Sequence, residues 1–519
     1  MAVVIEVLRL DFLRVQRDCG VKFRTFKLPK SKKPRKNVTP VNRRKFEKGT
    51  IRSPLHPLRS MSALHWSSWL DDFLPNMLWA AICVGNLERD EALQLLRDIC
   101  ARGAKVLKET NGAQLGHNFL ASLPYEEFQE IFSPIVENSK AKEACAAVGL
   151  VSSLPDHAHW KRLFPDADDP QPLAVGIATC LDHHSQEATD VRWAKVYFMI
   201  SCGRVQAPPE FIERVSHYPN LGDMRQVRPS IRAFEMAIRN IESGTERPKG
   251  VLEPQPQKFW DEMMNETACV IPKRSPPDSL SVDVTRESIK STLNELCDHF
   301  MSNIKTTSID PRADGAFGLA INMLTLAMEL SVSPSNNFAS GRIILRTIVE
   351  NYITLKYLAK KDDDTIWMQY RNYGSGQTAL AFLKNTFSEE TPDSIDMDRL
   401  EMLANEDAWL ETKDIAVGNW AKLDLRKMAI DAEVKDVYDA YYDWTSGFVH
   451  GHWGGVRDSS FTVCMNPLHR LHRVPAPGNP MPTVLTDCCK LCNRSLDEIG
   501  QLFPSFKPRI DWKTDVGKA

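Results

Sequence analysis

The side chains of this chain that could do chemistry concentrate on one predicted helix, over residues 434–450. Asp439, Asp443, Ser446 and His450 recur there at helical spacing, which places them on one face of a helix otherwise rich in apolar and aromatic residues. A histidine titrates near neutral pH, so His450 could exchange a proton with a substrate, with Asp443 orienting its ring and Ser446 bonded to it. This row predicts either a buried polar network or a catalytic site.

A second predicted helix, 341–358, carries Arg342, Arg346 and Glu350 in one i, i+4 row. The rest of its circumference is apolar, which predicts a buried helix. Buried charges are costly unless they are paired. In a catalytic interpretation the two arginines stabilise charge on a phosphate, and Glu350 is an alternative orienting group for His450. In a structural interpretation these rows pair with one another and only fix how the helices dock.

Glycines surround His450 in the sequence. Gly447 and Gly451 would permit close backbone approach by a ligand, and the Gly454-Gly455 pair is predicted to end the helix. No Gly-x-Ser-x-Gly elbow and no Gly-x-x-x-x-Gly-Lys-[Ser/Thr] loop is present. A serine-nucleophile elbow and a P-loop nucleotide site are therefore not expected.

Cysteines and histidines near the C-terminus raise the question of zinc, because thiolates and imidazoles are its preferred ligands. The candidate set is Cys464, His469, His472, Cys488, Cys489 and Cys492. Apolar residues at helical spacing around the last three favour buried, reduced thiols on an ordinary helix, so we expect no metal and no other cofactor. A zinc hydrolase using His450, His452, His469 and the cysteines stays an alternative without convincing ligand spacing.

Length and composition describe an ordinary globular chain. It has 519 residues, 43% of them hydrophobic and 25% charged, which suffices for two or three cores. No uncharged run reaches the roughly 18 residues of a membrane span. The N-terminal apolar stretch contains charges, unlike a secretory signal. We expect a cytoplasmic protein without a membrane partner.

The charge is unevenly distributed along the chain. Residues 21–52 contain thirteen lysines or arginines and one glutamate, whereas the whole chain has a net charge of −2. Such a block, interrupted by prolines, is typical of a disordered or extended segment attracted to nucleic acid. A solvated tail is the alternative. The candidate nucleic-acid contacts are Lys32, Lys33, Arg35, Lys36, Arg43, Arg44 and Lys45.

Helical periodicity recurs along the rest of the chain, and alternating strand patterns are nearly absent. This predicts an all-α fold of two helical domains joined by a Pro-rich linker. The expected divisions are a basic, largely disordered tail (1–54), an N-terminal helical domain (55–242), the linker (243–284), a C-terminal helical domain with the candidate site (285–507) and a short tail (508–519).

The row Arg342-x3-Arg346-x3-Glu350, the later Thr-Ser-Gly-Phe-Val-His-Gly of 445–451 and the segment 464–473 together resemble a large family of bacterial all-α proteins with a domain of unknown function. The stretch 74–80 resembles an N-terminal signature of its longer members. The resemblance spans roughly 55–506.

That family is more distantly similar to the HEPN and abortive-infection proteins of bacterial defence, many of which cut RNA. The resemblance implies that His450 is the acid–base residue and Arg346 the cation that stabilises the phosphate. The arginine that precedes the histidine by a few residues in HEPN motifs has no counterpart before His450. The implied function is a defence-type protein that binds or cleaves RNA, as a metal-independent ribonuclease. The alternative is a non-catalytic sensor or assembly module with a protein partner or a second copy of itself.

Overall fold

The computed structural model describes residues 43–52, 68–110, 112–244, 256–272, 280–304, 307–332, 334–406, 408, 410–412 and 414–512. The predicted all-α fold class is confirmed, since helices dominate and the described strands form only two small antiparallel pairs. The chain divides into two compact units. Unit 1 comprises Met1–Ile271 together with Cys464–His472, and unit 2 comprises Pro272–Val463 together with Arg473–Ala519.

Unit 1 begins with a short hairpin and continues with helices. Its elements are β1 (Lys45–Glu47), β2 (Thr50–Arg52), a π turn (Trp69–Phe73), a 3-10 turn (Leu74–Met77), α1 (Leu78–Asn86), α2 (Arg89–Val106), α3 (His117–Leu120), α4 (Tyr125–Glu137), α5 (Ser139–Cys145), a 3-10 turn (Ala146–Leu150), α6 (His157–Leu163), α7 (Gln171–Cys180), α8 (Gln186–Ser201), α9 (Pro209–Ser216), α10 (Met224–Gly244), α11 (Pro256–Glu266) and a 3-10 turn (Pro467–His469).

The core of unit 1 is built around α1, whose sequence is apolar on every side and which is buried almost throughout. Helix α7 crosses it where glycines face each other. A Cβ on Gly85 would lie 2.7 Å from the Cα of Gly176, so only glycines permit this approach of the two backbones. Leu468, from the returning segment Cys464–His472, is also buried in this core.

The described residues of unit 2 form helices and one short strand pair. Its elements are α12 (Leu280–Asn303), α13 (Pro311–Val332), a 3-10 turn (Pro334–Asn337), α14 (Ala339–Lys361), α15 (Asp364–Thr386), α16 (Met397–Ala404), a 3-10 turn (Leu410–Thr412), α17 (Leu425–Asp431), α18 (Lys435–Val437), a π turn (Tyr438–Tyr442), α19 (Asp443–Val449), α20 (Trp453–Ser460), β3 (Phe461–Val463), β4 (Arg473–Pro475) and α21 (Leu485–Leu502).

Helix α13 is the central helix of unit 2 and packs against α12, α14, α15 and α21. By length and mean hydropathy it could also span a membrane, but 56% of its apolar window is buried inside the unit. Burial of this kind is typical of a core helix. The strands β3 and β4 pair with Thr462 opposite Val474.

The boundary between the units lies between Ile271 and Pro272, inside the predicted linker 243–284. That stretch contains α11, whose Phe259, Trp260 and Met263 are buried in the core of unit 1. The return of Cys464–His472 to unit 1 was not anticipated, because no local pattern reports a contact between residues so far apart in the chain.

Candidate functional site

The predicted helix over 434–450 forms, but with a change of period. A π turn at Tyr438–Tyr442 separates α18 from α19, and its wider i→i+5 bonding shifts the faces that follow it. The ring of Tyr442 consequently lies under the guanidinium of Arg346 on α14, with the Cζ atom 3.5 Å from the ring centroid. The row of polar residues predicted from a regular helix is interrupted by this turn.

Arg346 is 6% exposed, and its positive charge is paired with the carboxylate of Glu350. Its Nη2 atom lies 2.8 Å from Oε1 of Glu350 one helical turn on, and Nε also donates to that oxygen. The Glu350 side chain is 41% exposed. Arg346 therefore has an aromatic face on one side and a carboxylate on the other, an arrangement that holds α14 against the π turn.

Arg342 is buried and donates to backbone carbonyls. Its Nη1 atom bonds the carbonyl oxygens of Asn336 at 3.1 Å and Phe338 at 3.2 Å, and Nη2 bonds that of Pro482. Burial lowers the pKa of its guanidinium. These bonds connect α14 to the 3-10 turn before it and to the segment before α21, so Arg342 joins three parts of unit 2.

The remaining predicted site residues are not drawn into this arrangement. Asp443 and His450 are exposed and Ser446 is half-buried. In the described part of the chain, no hydrogen bond or ion pair joins the His450 ring to Arg346, Glu350 or Asp443. The structure therefore places the arginines in the interior and the histidine at the surface, and the rows do not meet in one buried network.

The backbone conformation and helix packing after α19 account for the glycines around His450. His450 ends the helix, and Gly451 follows with φ +62°, a backbone conformation that glycine adopts without strain. Gly454 and Gly455 lie inside α20, so the prediction that they end a helix was wrong. A Cβ on Gly455 would lie 2.6 Å from the carbonyl oxygen of Gly447, so this pair permits the close crossing of α19 and α20.

An exposed group of rings lies at this turn, and we call it the two-histidine face: His450, His452, Trp453 and Arg473. The two imidazole centroids are 5.8 Å apart. Trp453 is 57% exposed, and the Arg473 guanidinium lies 5.6 Å from its ring centroid. Two imidazoles, an indole ring and a guanidinium are thus all exposed to solvent. His452, Trp453 and Arg473 were not among the predicted catalytic residues.

The described part of the basic block, Arg43 to Arg52, forms the β1–β2 hairpin rather than an extended tail. Arg43 and Lys45 are exposed, and Arg44 is half-buried. Arg52 pairs with Glu47 at 3.1 Å. The other predicted nucleic-acid contacts lie outside the described residues: Lys32, Lys33, Arg35 and Lys36.

The six-residue zinc candidate separates into two groups. Cys488, Cys489 and Cys492 are buried on α21 in the core of unit 2. Burial raises the pKa of the Cys489 thiol to about 12. Such thiols are protonated at neutral pH and behave as small apolar side chains.

Cys464, His469 and His472 instead meet Cys269, a residue that the sequence did not single out. All four ligand atoms lie within 4.8 Å of one another. Nδ1 of His469 is 3.5 Å from the Cys464 sulfur and 3.6 Å from the Cys269 sulfur, and Nε2 of His472 is 3.4 Å from the Cys269 sulfur. Desolvation and the adjacent Cys464 raise the pKa of the Cys269 thiol.

Among the described residues, one other group has ligand atoms within 4.8 Å of one another. It comprises Asp182, His183 and His184. All three side chains are exposed, and the two imidazole rings are tilted by 40° with their centroids 3.8 Å apart. His450 and His452 belong to neither group. The described geometry therefore offers no support for a zinc hydrolase built on those two histidines.

Residues 314–462 match the model of a family of unknown function, DUF5677. The match agrees with the predicted resemblance to a family with a domain of unknown function. It does not test the motifs at 342–350 and 445–451, although both lie within the matched stretch. It does not reach 74–80 or 464–473. Comparison with curated proteins and with solved structures found no match. The likeness to HEPN proteins stays a prediction.

Proposed function

We propose that unit 2 binds single-stranded RNA on the two-histidine face and cleaves it there without a metal ion. The observation that carries the proposal is the exposed Trp453 ring with the Arg473 guanidinium 5.6 Å from its centroid; Trp453 directly follows His452, one of two exposed histidines whose ring centroids are 5.8 Å apart. Exposed aromatic rings stack unpaired bases, and a neighbouring arginine attracts phosphate. The sequence resemblance to RNA-cutting defence proteins supports RNA as the polymer.

The two imidazoles supply the acid–base chemistry of the proposal. A neutral imidazole, of His450 or His452, takes the proton of a ribose 2′-hydroxyl, and that oxygen bonds to the adjacent phosphorus. The bond from phosphorus to the 5′-oxygen breaks, and the other imidazole, protonated, donates its proton to the departing oxygen. The products are a 2′,3′-cyclic phosphate end and a 5′-hydroxyl end, so atoms and protons balance without a metal.

In this mechanism Arg342 and Arg346 are positioning residues. Their donors bind backbone carbonyls and Glu350, and they hold the helices that present the face. Arg473 supplies the positive charge beside the phosphate. Asp443 and Glu350 do not contact the His450 ring, so neither orients it in the proposal.

The test uses labelled single-stranded RNA, the purified full chain and excess EDTA. We expect His450→Ala and His452→Ala each to abolish cleavage while retaining RNA binding. Trp453→Ala should weaken binding by about 1–3 kcal/mol, the usual contribution of one base stacked on an aromatic ring. His184→Ala, an exposed histidine of unit 1, is the matched control. Absence of both binding and cleavage in the wild type, or cleavage unchanged in both histidine variants, would refute the proposal.

A second candidate function is assembly, because the same region exposes large apolar side chains. Trp444, Val449, Trp453 and Val456 are 51%, 43%, 57% and 38% exposed. Apolar surface of this kind is typical of protein contacts. Self-association measured by light scattering and lost in a Trp444→Ala, Val449→Ala variant, with no RNA binding by the wild type, would favour this function.

A further inference from the structure

The sulfur and nitrogen atoms of four side chains in unit 1 lie at separations typical of a tetrahedral metal site. The measured sulfur–nitrogen distances among Cys269, Cys464, His469 and His472 are 3.4, 3.5 and 3.6 Å. Zinc binds cysteine sulfur at about 2.3 Å and histidine nitrogen at about 2.0–2.1 Å, so a tetrahedron places sulfur and nitrogen about 3.6 Å apart. Three of the six separations among the four ligand atoms thus match those of a tetrahedral zinc site, and the other three are within 4.8 Å.

The sulfur of Cys464 accepts hydrogen bonds from two backbone N–H groups. The backbone N–H groups of Val270 and Asn466 both donate to it, at 3.3 and 3.4 Å. Hydrogen bonds donated to a sulfur favour its thiolate form, which is the form that binds a metal.

The tautomer of His469 is set by the hydroxyl of Thr267. That hydroxyl donates to the carbonyl oxygen of Met263 at 2.7 Å and accepts from Nδ2 of Asn466 at 3.0 Å. Its one proton is used, so at the 2.9 Å contact with Nε2 of His469 it must accept. Nε2 therefore carries the ring proton, and the lone pair of Nδ1 points at the two sulfurs. An outer partner that fixes the ring in this way is typical of metal-binding histidines.

The backbone conformation of Cys464–His472 brings its two ends together at this cluster. The N–H of Cys464 donates to the carbonyl oxygen of His472 at 2.9 Å, which joins the two ends of the segment. Arg470 and Leu471 have φ values of +51° and +55°, so two consecutive residues other than glycine adopt the left-handed conformation. Such strain persists where the surrounding structure requires it. Here it turns the chain so that His472 reaches Cys269.

We propose that unit 1 holds one zinc ion between Cys269, Cys464, His469 and His472. Two thiolates and two imidazoles form a soft, four-coordinate set that selects zinc over magnesium, calcium or manganese. Four protein ligands leave no open position for water or substrate, so the ion is structural. It ties Cys464–His472 to the segment that follows α11, within unit 1. This inference does not depend on the proposed RNA chemistry.

Metal analysis of the full chain, purified without chelator from cells supplied with zinc, is the first test. We expect one zinc per chain, lost in Cys464→Ser and in His472→Ala but retained in His472→Cys, which keeps a zinc ligand at that position. The matched controls are Cys202→Ser, a half-buried thiol of unit 1 outside the cluster, and the double variant His183→Ala, His184→Ala. Both should keep the ion.

Cobalt substitution separates loss of a ligand from loss of folding. Co²⁺ in the wild type should give the visible bands of a tetrahedral site and the near-ultraviolet band of thiolate ligation. Cys269 is exposed, so Cys269→Ser should fold normally while losing about half of the thiolate band, since one of the two sulfurs is removed.

Three results would overturn the proposal. The first is wild-type protein with far less than one zinc per chain that also fails to bind added Zn²⁺ or Co²⁺. The second is metal that persists in folded Cys269→Ser and Cys464→Ser but is lost in the His183, His184 variant. The third is a Cys269–Cys464 disulfide, found by mass spectrometry in the protein as purified and accompanied by no zinc.

Discussion

Nε2 of His469 lies 2.9 Å from Oγ1 of Thr267, and this single contact decides which ring nitrogen faces Cys269 and Cys464. Removing the hydroxyl while keeping the side-chain shape frees the ring to rotate or change tautomer. We expect Thr267→Val to lower the zinc affinity of the chain by about 10- to 100-fold, the usual effect of losing an outer partner of a metal ligand. Competition with a fluorescent chelator measures it.

The control for this variant is Thr179→Val. The Thr179 hydroxyl also lies in unit 1 and bonds the carbonyl oxygen of Gly176 at 3.0 Å, away from the cluster. Its removal should leave the zinc affinity unchanged. Equal affinities for wild type and Thr267→Val would show that the hydroxyl does not orient His469.

Two adjacent glycines in α20 should respond in opposite ways to alanine. A Cβ on Gly455 would lie 2.6 Å from the carbonyl oxygen of Gly447, a backbone atom that cannot move aside, whereas a Cβ on Gly454 meets nothing within 4 Å. We expect Gly455→Ala to lower the free energy of unfolding by about 1–3 kcal/mol through overpacking. Gly454→Ala should be neutral or stabilising by up to about 1 kcal/mol. Denaturant unfolding of both variants checks the contrast, and equal effects would contradict the observed helix crossing.

The stacking of Arg346 on Tyr442 is expected to contribute to stability by itself. A double-mutant cycle of Arg346→Met and Tyr442→Leu should give a coupling energy of about 1–2 kcal/mol, since the guanidinium is largely desolvated. Glu350→Gln should cost less than about 1 kcal/mol, because that carboxylate is 41% exposed. A coupling near zero would show that the stacking of Arg346 on Tyr442 does not stabilise the fold.

The stability of unit 2 should depend on pH through Asp362. Hydrogen bonds from Arg312, and a further one from Trp367, hold the pKa of this carboxyl below its ordinary value of 3.8, despite partial burial. A lowered pKa means that the ion pair contributes fully above the pKa of the unfolded carboxyl and is lost as the pH falls through the folded value. Asp362→Asn should therefore lower Tm at pH 7, and the difference from wild type should shrink as the pH falls below 3.8.

Asparagine is the suitable replacement because Asp362 has φ +39° and asparagine tolerates that conformation. Asp431→Asn removes a surface ion pair of 3.6 Å with Lys361 and serves as the control. A difference in Tm between wild type and Asp362→Asn that stays constant down to pH 2 would show that the charge of Asp362 is not what stabilises the fold.

The basic block should contribute to nucleic-acid binding in a salt-dependent way. Deleting residues 1–52 is expected to weaken binding of single-stranded RNA at low salt and to reduce the slope of log affinity against log salt. Replacing Arg43, Arg44 and Lys45 by glutamine should reduce that slope by about one for each cation that contacts a phosphate. Fluorescence anisotropy over a salt series measures both. An unchanged slope would place the phosphate contacts elsewhere.

The spacing of apolar and polar residues along the sequence determined the fold class and the helices that carry the site. The apolar circumference of α14 predicted a buried helix, and the spacing of apolar residues on α21 indicated buried thiols at Cys488, Cys489 and Cys492. The structure has both. Periodicity reports these features because a side chain faces the core or solvent according to its position along one element.

Contacts between distant segments were decided only in the tertiary structure. Cys269 meets His472 across 203 positions, and no spacing rule links residues of two different segments. The π turn at Tyr438–Tyr442 shifted a face that regular helical periodicity had assigned, and the crossing of α19 and α20 explains Gly455, which sequence reasoning had taken as a helix end. Packing of one segment against another determines these features, so they appear only when both segments are in place.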